Sequence, residues 1–315
     1  MNHLLIAGGA GFIGRHFLDE VLKSANSVFS KIHVIDKLTY SSDGQYIQRK
    51  VAEGQISFSK ADISDWDQLR SCFGQPDSVI NFAAETHVDN SIKTPGIFAE
   101  SNYLGVSNLL SLSVERGVTR FLQVSTDEVY GSIQSGEANE EHALNPSSPY
   151  SASKAAADLL VDAFRVTFDL NTVITRTCNN FGPGQHPEKL IPKAVQAILA
   201  GRKVPIYGSG RQIREWIHVE DNCRAILRVL TDHSLNGVVN VGSGVRVTNE
   251  DLIRDLIGSL GAGEIEYVSD RPGHDSRYAV DSSKIQRLLG FQPKLALSDY
   301  FATLKDLSKA NHEGK

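Results

Sequence analysis

A glycine-rich turn near the N-terminus constrains the fold more than any other feature of this sequence. It reads Gly8-Gly9-Ala10-Gly11-Phe12-Ile13-Gly14 and directly follows the apolar run His3–Ala7. Glycines at this spacing let the chain turn tightly from a strand into a helix, and they let backbone amides approach a pyrophosphate. A helix that begins near Phe12 would point the positive end of its dipole at the same anion. We therefore predict a dinucleotide-binding turn, with a glycine turn needed only for packing as the alternative.

Five further apolar runs alternate with amphipathic stretches in the first half of the chain. They are Ile32–Asp36, Ile56–Ala61, Ser78–Ala83, Arg120–Ser125 and Thr172–Thr177. Such alternation predicts parallel strands joined by helices, which is a Rossmann-type doubly wound α/β fold. Ligands of these folds bind beyond the carboxyl ends of the strands, so the residues that follow each run are the candidates for a site.

The second half of the chain is less regular. Segments rich in Pro, Gly and charge, such as Asn179–Lys193 and Pro205–Trp216, replace the alternation. We predict a dinucleotide-binding domain over residues 1–178, to which the chain returns around residues 217–243. Residues 179–216 and 244–315 are predicted to form a smaller C-terminal α/β lobe that binds the substrate. No linker separates the two parts, so we expect them to pack closely.

Composition argues against several classes of protein. Lys and Arg number 32 against 37 Asp and Glu, a net charge of −5, so no basic excess points to nucleic acid or to an anionic membrane. The apolar start Leu4–Ala7 is too short for a membrane span and lacks a basic leader. Cys72, Cys178 and Cys223 have no Cys-x-x-Cys spacing, and the histidines have no ligand spacing, which disfavours disulfides and zinc. We predict a cytoplasmic protein without a bound metal.

The acidic residue at the end of the second strand favours NAD over NADP. Asp36 follows the last glycine of the turn by about 20 residues, where a carboxylate accepts hydrogen bonds from the adenosine ribose. The same carboxylate would repel a 2′-phosphate, although the neighbouring Lys37 leaves NADP open. Asp62 and Ile63 follow the third strand and can contact the adenine, while helix capping is an equally good interpretation of Asp62.

A tyrosine and a lysine four residues apart form the second chemical motif, Tyr150-Ser151-Ala152-Ser153-Lys154. On a helix the phenol and the ammonium share one face. A nearby cation lowers the pKa of tyrosine from about 10 and so brings the phenol closer to service as a base. A surface pair is the usual interpretation of an isolated motif. Here the upstream glycine turn, and Ser125-Thr126 after a strand, favour catalysis.

Seven further segments also contain specific sequence signals. They are Asp36-Lys37-Leu38-Thr39-Tyr40, Ala83-Ala84-Glu85-Thr86-His87-Val88-Asp89, Ser125-Thr126-Asp127-Glu128-Val129-Tyr130-Gly131, Asn179-Asn180-Phe181-Gly182-Pro183, Pro187-Glu188-Lys189-Leu190-Ile191-Pro192, Gln212-Ile213-Arg214-Glu215-Trp216 and Asp270-Arg271-Pro272-Gly273-His274-Asp275. With the two motifs above, the chain resembles the extended short-chain dehydrogenases, and specifically the nucleoside-diphosphate-glucose 4,6-dehydratases, over nearly its whole length.

The resemblance implies a reaction and a set of catalytic residues. A nucleotide-activated glucose, with dTDP-glucose preferred, would be oxidised at C4 by NAD, would lose water across C5–C6 and would regain the hydride at C6. Tyr150, assisted by Thr126 and Lys154, would take the C4 hydroxyl proton. Glu128 would remove the C5 proton and Asp127 would protonate the departing hydroxyl. Two adjacent carboxyls disfavour simultaneous ionisation, so one can stay protonated as the acid. Two solvated loop acids are the alternative.

The resemblance also implies which residues contact the two ligands and how the chain assembles. Cofactor contacts are expected from Gly8, Gly11, Phe12, Ile13, Gly14, Asp36, Lys37, Leu38, Thr39, Asp62, Ile63, Phe82, Ala83, Ala84, Thr86, Ser101, Tyr150, Lys154 and Asn180. Nucleotide-sugar contacts are expected from Thr86, Thr126, Asn179, Glu188, Lys189, Leu190, Pro205, Tyr207, Arg214, Asn240, Arg271 and His274. A homodimer is expected through Ile97–Arg116 and Ala155–Phe168.

Two departures from the family pattern leave the substrate open. Asn90 stands where arginine is expected, and Gly184 replaces a bulkier residue. The nucleotide base, the sugar and the downstream deoxysugar are therefore not determined by the sequence. Another nucleotide-sugar enzyme on the same scaffold, such as an epimerase, a decarboxylase or a different dehydratase, remains an alternative, although Asp127 argues against the first two. A catalytically silent NAD-binding protein is a further one, since a fold does not determine a function.

Overall fold

The structure, a computed structural model, describes residues 2–23 and 28–313. The strands are β1 (His3–Ala7), β2 (Lys31–Asp36), β3 (Ser57–Lys60), β4 (Ser78–Asn81), β5 (Arg120–Thr126), β6 (Thr172–Thr177), β7 (Asn179–Phe181), β8 (Val204–Tyr207), β9 (Ile213–His218), β10 (Gly237–Val241), β11 (Arg246–Thr248) and β12 (Ile265–Val268).

Helices connect most of these strands. They are α1 (Phe12–Lys23), α2 (Gly44–Ala52), α3 (Trp66–Cys72), α4 (Val88–Lys93), α5 (Pro95–Ala99), α6 (Gly105–Glu115), α7 (Pro149–Phe168), α8 (Leu190–Leu199), α9 (Val219–Thr231), α10 (Asn249–Leu260), α11 (Ser283–Leu289) and α12 (Leu297–Glu313). A π-helical turn, Glu100–Leu104, joins α5 to α6, and a 3₁₀ turn, Asp127–Tyr130, follows β5.

Seven strands form one sheet in the order β10-β6-β5-β4-β1-β2-β3, and each is parallel to its neighbours. Ala7 lies opposite Ile35 on one side and Asn81 on the other, so three strands end nearly level. This confirms the predicted Rossmann-type fold. The third and fourth strands end earlier than predicted, at Lys60 and Asn81.

Helices cover both faces of the large sheet. On one face α1 and α9 pack on alternate residues of the strands, for example Phe17 and Ile226 against Leu4. On the other face α6 and α7 pack on the intervening residues, for example Leu109 against Leu5. Since side chains alternate across a strand, these helices bury both faces of the sheet.

The chain returns to the large sheet late in the sequence. Helix α9 packs beside α1 on one face, and β10 adds an edge strand beside β6, with Val239 opposite Thr175. The domain boundaries drawn from the sequence, at residue 178 and around residues 217 and 243, stay predictions.

The remaining elements form two small sheets, β11-β9-β7 and β12-β8. Helices α8, α10 and α12 enclose a third core with them, in which Trp216, Ile191, Leu252 and Phe301 are buried. Strand β7 begins two residues after β6 ends, so this part of the chain starts at the carboxyl edge of the large sheet. Within the described residues, no helix is long and apolar enough to cross a membrane.

Candidate active site

A cavity of about 280 Å³ lies at the carboxyl edge of the large sheet. It brings together most of the residues that the sequence predicted to act in catalysis or in binding. The predicted residues that line it are Gly8, Gly11, Phe12, Ile13, Gly14, Phe82, Ala84, Thr86, Thr126, Asp127, Glu128, Tyr150, Lys154, Asn179, Asn180, Glu188, Lys189 and Leu190.

The glycine turn between β1 and α1 is crowded by backbone. Gly8 has a φ of +77°, and a Cβ there would clash with the backbone of Ala83. A Cβ at Gly14 would clash with the carbonyl oxygen of Gly8. The turn is therefore restricted to glycine at both positions, as expected where a helix N-terminus must approach a phosphate closely.

A second hollow of about 80 Å³ adjoins the glycine turn and is suited to an adenosine. Its predicted lining residues are Gly8, Gly11, Asp36, Lys37, Thr39, Asp62, Ile63, Phe82, Ala83, Ala84 and Ser101. Asp36 is buried at the end of β2 and accepts hydrogen bonds from the amides of Ala10 (3.0 Å) and Leu38 (2.8 Å). Leu38 itself has a φ of +57°, so the chain reverses sharply after the carboxylate.

Lys37 is held by acidic neighbours. Its ammonium lies 3.4 Å from a carboxylate oxygen of Glu85 and 3.6 Å from one of Asp62, and it donates to the hydroxyl of Ser101 at 3.2 Å. A 2′-phosphate would compete with both carboxylates for this cation. The arrangement therefore favours NAD over NADP, which the sequence alone left open.

Tyr150 and Lys154 lie in the first two turns of α7. Ser148 caps this helix, with its hydroxyl accepting from the Ser151 amide, and Pro149 occupies the first turn. Tyr150 is buried with Phe98 and Val88, and the Lys154 ammonium donates to the carbonyl of Val124 at 2.7 Å.

Burial dominates the ionisation of both groups. It lowers the pKa of Lys154 to about 8. Burial also raises the pKa of Tyr150, and the carboxylate of Glu128 raises it further, while a hydrogen bond with Thr126 opposes the shift. The pKa of Tyr150 shifts in the direction opposite to the one expected from a nearby ammonium, because burial and neighbouring carboxylates dominate.

Asp127 and Glu128 both face the cavity because the chain turns where β5 ends. Thr126 caps the 3₁₀ turn by accepting from the Glu128 amide at 3.3 Å. Gly131 ends the turn with a φ of +69°, where a Cβ would clash with the carbonyl of Asn145. A regular strand would have sent the two carboxyls to opposite faces. The turn expected from the sequence is present.

The two carboxyls differ in their electrostatic surroundings. Burial raises the pKa of Asp127 well above its usual value, and the carboxylates of Glu128 and Glu215 raise it further. Burial also raises the pKa of Glu128, but the cations Arg214, Arg271 and Lys189 oppose the shift. Asp127 is therefore the carboxyl suited to stay protonated, and Glu128 is the one suited to act as a base.

Three predicted cations oppose the rise of the Glu128 pKa. Lys189 lines the cavity and donates to the carbonyl of Thr86 at 2.9 Å. Arg214 and Arg271 lie outside the cavity lining. Arg214 is buried, with its guanidinium 4.1 Å from the centre of the Tyr278 ring, and Arg271 lies 3.4 Å from a carboxylate oxygen of Asp89.

Tyr278 was not identified from the sequence. It is buried, and its hydroxyl donates to Asp275 at 2.8 Å and lies 3.4 Å from an oxygen of Glu128. It stands three residues beyond the motif that ends at Asp275, and no spacing relates it to Glu128. Cys178, Gln185, His186 and Trp216 also line the cavity without having been predicted as site residues.

Several predicted substrate residues do not line the cavity. The Tyr207 hydroxyl donates to Asp89 at 2.9 Å, His274 contacts Asp270 at 2.6 Å, and Pro205 lies within β8. Asn240 is fully buried, where it accepts from the Tyr130 hydroxyl at 2.8 Å and donates to the carbonyl of Ala138. The structure gives the Asn240 side chain internal partners and does not bring it to the cavity.

The described residues contain no group of three or more His, Cys, Asp or Glu that could hold a metal ion. The three cysteines are free thiols, of which Cys178 and Cys223 are buried.

The fold and the site define a class, the extended short-chain dehydrogenases and reductases, in which a dinucleotide turn and a Tyr-Lys pair face a second, substrate-binding lobe. The family model described as GDP-mannose 4,6 dehydratase matches residues 5–304, and this chain belongs to that family.

Named relatives and solved structures agree with this family. The low-salt glycan biosynthesis protein Agl12 of Haloferax volcanii is 43% identical, over 94% of this chain and 95% of that protein. The dTDP-glucose 4,6-dehydratase of Streptomyces griseus is also 43% identical, over 96% of this chain and 92% of that protein. A crystal structure of DesIV, a dTDP-glucose 4,6-dehydratase of Streptomyces venezuelae with NAD and TYD bound, has a TM-score of 0.93 at 42% identity, covering 99% of this chain and 98% of that one.

Proposed function

We propose that this protein is an NAD-dependent nucleoside-diphosphate-glucose 4,6-dehydratase that acts on dTDP-glucose. The observation that carries the proposal is the meeting of Asp127, Glu128, Tyr150 and Lys154 at one cavity. An oxidoreductase of this class needs the tyrosine and the lysine, whereas elimination of water needs an acid and a base in addition. Relatives and solved structures named as dTDP-glucose 4,6-dehydratases support the choice of reaction and of nucleotide.

The cofactor is NAD, which is bound in crystal structures of related dehydratases. The glycine turn would hold its pyrophosphate and Asp36 its adenosine ribose, in the hollow that Asp62 and Ile63 also line. When bound, NAD supplies an acceptor for the C4 hydride, returns that hydride to C6 and places a positive charge in the cavity.

Tyr150 acts as the base of the oxidation. Its phenolate form takes the C4 hydroxyl proton, and Thr126 and the Lys154 ammonium favour that form. Burial and the carboxylate of Glu128 raise the pKa of Tyr150, and the hydrogen bond with Thr126 opposes that rise.

Glu128 and Asp127 carry out the elimination. Once C4 is a ketone, the proton on C5 becomes acidic, and the Glu128 carboxylate removes it. Asp127, whose buried carboxyl favours the protonated form, gives its proton to the departing C6 hydroxyl. Glu128 then returns a proton to C5. Lys189, Arg214 and Arg271 bind the diphosphate and help to keep Glu128 ionised.

An epimerase is the second candidate, because UDP-glucose 4-epimerase structures such as that of Thermus thermophilus have the same fold, with a TM-score of 0.87 at 26% identity. Epimerisation at C4 requires no acid at C6, so it gives Asp127 and Glu128 no role. The dehydratase reaction accounts for both residues.

The assembly that we propose is a homodimer formed through Ile97–Arg116, which includes the π-helical turn, and through Ala155–Phe168 of α7. Ile97, Leu104, Leu159 and Val166 are between 45% and 71% exposed there, which is a high apolar content for a surface that stays in water. We propose the cytoplasm as the location, since free thiols in the described residues suit a reducing compartment.

Mass spectrometry of the products tests the proposed function. Purified enzyme is incubated with dTDP-glucose and, separately, with UDP-, CDP- and ADP-glucose. We expect dTDP-glucose to lose one water without net formation of NADH. An isomer of unchanged mass from UDP-glucose would instead indicate the epimerase. Absence of water loss from all four would contradict the assignment for glucose substrates.

A matched pair of variants connects the reaction to the cavity. Tyr150→Phe should abolish the loss of water while leaving the fold intact, because it removes one buried hydroxyl and little volume. Tyr267→Phe is the control, since Tyr267 is 51% exposed on β12. Equal loss in both variants would disconnect the activity from this site.

A further inference from the structure

The buried carboxylate of Asp158 has no role in the reaction proposed above. Asp158 is 1% exposed and lies on α7, four positions after Lys154. The two side chains therefore share one face of the helix. Burying a carboxylate is costly unless it is paired. Asp158 is paired on one oxygen only, which accepts from Nε of Arg176 at 2.9 Å.

Burial raises the pKa of Asp158, and the cation Arg176, the hydroxyl of Ser125 and the ammonium of Lys154 oppose that rise. Ser125 and Arg176 lie opposite each other in the β5–β6 register, and Arg176 donates to the carboxylate from the sheet. Arg176 also packs on the Tyr130 ring, with its guanidinium 4.8 Å from the ring centre.

Lys154 depends on a nearby negative charge. Its ammonium donates only to a neutral carbonyl, that of Val124, among the described residues. Burial lowers the pKa of Lys154 to about 8, and the carboxylate of Asp158 acts in the opposite direction. Without that carboxylate, a substantial fraction of Lys154 would be neutral at pH about 7, and Tyr150 would lose its cationic neighbour.

Other ionisable groups around Lys154 come from three elements. Tyr150 precedes it on α7, Asp127, Glu128 and Tyr130 lie on the 3₁₀ turn, and Arg176 lies on β6. The carboxylates of the 3₁₀ turn act on Tyr150, and Arg176 is occupied by Asp158 and Tyr130.

We propose that Asp158 is a positioning residue that keeps Lys154 protonated and thereby sets the pH range of the oxidation at C4. The inference rests on the proposed function, since it requires Tyr150 and Lys154 to act in that oxidation. Asp158 does not contact the cavity and acts through Lys154.

The test isolates the oxidation from the elimination. The probe is dTDP-6-deoxyglucose, which has a C4 hydroxyl but no C6 hydroxyl to eliminate, so the NADH formed on the enzyme accumulates. Its rate of formation is measured against pH in NAD-loaded wild-type protein and in Asp158→Asn. The amide keeps the shape of the side chain and an oxygen for Arg176.

We expect both limbs of the pH profile to move to lower pH in Asp158→Asn, by about one pH unit. Loss of a negative charge lowers the pKa of Lys154, which moves the alkaline limb. It also lowers the pKa of Tyr150, which Asp158 raises directly, and this moves the acid limb. A lower rate with unchanged limbs would overturn the inference, because a purely structural role predicts that result.

Asp255→Asn is the control. Asp255 lies on α10, outside the segments proposed for the dimer, and is exposed. Solvent screens such a charge, so its removal should shift the profile by less than about 0.3 pH unit. An equal shift in both variants would indicate a general charge effect and would count against Asp158.

Ser125→Ala decides the question if Asp158→Asn does not fold. Loss of the hydroxyl favours protonation of Asp158, so the profile should move in the same direction by a smaller amount. No shift in this variant would then overturn the inference. If wild-type protein forms no NADH from dTDP-6-deoxyglucose at any pH, the proposed function itself fails, which is a separate result.

Discussion

The two halves of the cleft are built in different ways. The cofactor half, around Gly8, Gly14 and Asp36, is made of close backbone contacts at the ends of β1 and β2. The substrate half is made of charged side chains, with Asp127 and Arg214 both about nine-tenths buried or more. The first half therefore depends on how closely chain segments approach, and the second depends on the cost of burying charge and on how neighbouring charges offset it.

Because of this difference, we expect substitutions in the two halves to have different effects. A change in the cofactor half should affect binding and folding together, since the same backbone serves both. A change in the substrate half should affect catalysis while leaving the fold intact or even more stable, since active-site charges are often unfavourable for stability.

The largest effect is expected from Glu128→Gln. Loss of the base should lower turnover of dTDP-glucose by about 10²–10⁴-fold, while oxidation at C4 continues. NADH should therefore accumulate on the enzyme, and its absorbance under single-turnover conditions measures this. Glu141→Gln removes an exposed glutamate further along the same connection and should turn over normally. Unchanged turnover in Glu128→Gln would contradict the expectation that changes in the substrate half impair catalysis.

A glycine pair tests the cofactor half. Gly8→Ala and Gly54→Ala place alanine at similar positive φ values, +77° and +68°, but only Gly8 has backbone in the way of a Cβ. Both should pay about 1–2 kcal/mol for the left-handed conformation. Gly8→Ala should lose a further 1–3 kcal/mol or so from the clash and should purify without bound NAD. Urea unfolding and the NAD content of the purified proteins measure the two effects, and equal behaviour would contradict the crowding argument.

The smallest effect is a pH-dependent gain of stability in Asp127→Asn. The pKa of Asp127 is raised in the folded protein, so the folded state binds this proton more tightly than the unfolded state. The wild type therefore loses stability as the pH rises above the unfolded pKa of about 3.9. The variant should unfold at higher urea concentration than the wild type near neutral pH, with the difference vanishing below pH about 4.

The exposed Asp255→Asn variant provides the baseline for that comparison and should follow the wild type across the pH range. A variant of Asp127 that is less stable at neutral pH would mean that its carboxyl is ionised and well paired. It would then be unsuited to the role of acid.

Much of the fold could be predicted because its signals are local. Each of the six predicted strands coincides with a strand of the large sheet, since a buried parallel strand is a short continuous apolar run. The ends of the strands were predicted less accurately. Asn81 ends β4 because its side chain binds the Ala83 amide and Gln123, which are partners that a run of apolar residues does not reveal.

The site could be predicted in part, and the residues that were missed share a cause. Tyr278 reaches Glu128 across 150 positions of sequence. Asp158 is proposed to act on Lys154, and nothing in the Tyr-Lys motif points to Asp158. Asn240, which the resemblance assigns to the substrate, lies on β10 and hydrogen-bonds with Tyr130 and with the carbonyl of Ala138. Its role in substrate binding stays a prediction.

The sequence by itself determined the dinucleotide turn, the Tyr-Lys pair and the adjacent carboxyls, because each is a short motif whose geometry follows from one strand end or one helix turn. Only the tertiary structure decided which carboxyl holds its proton, whether Lys37 is available to a phosphate and which distant residues support the base. Those properties depend on burial and on charges that meet from separate elements, and neither is encoded in local spacing.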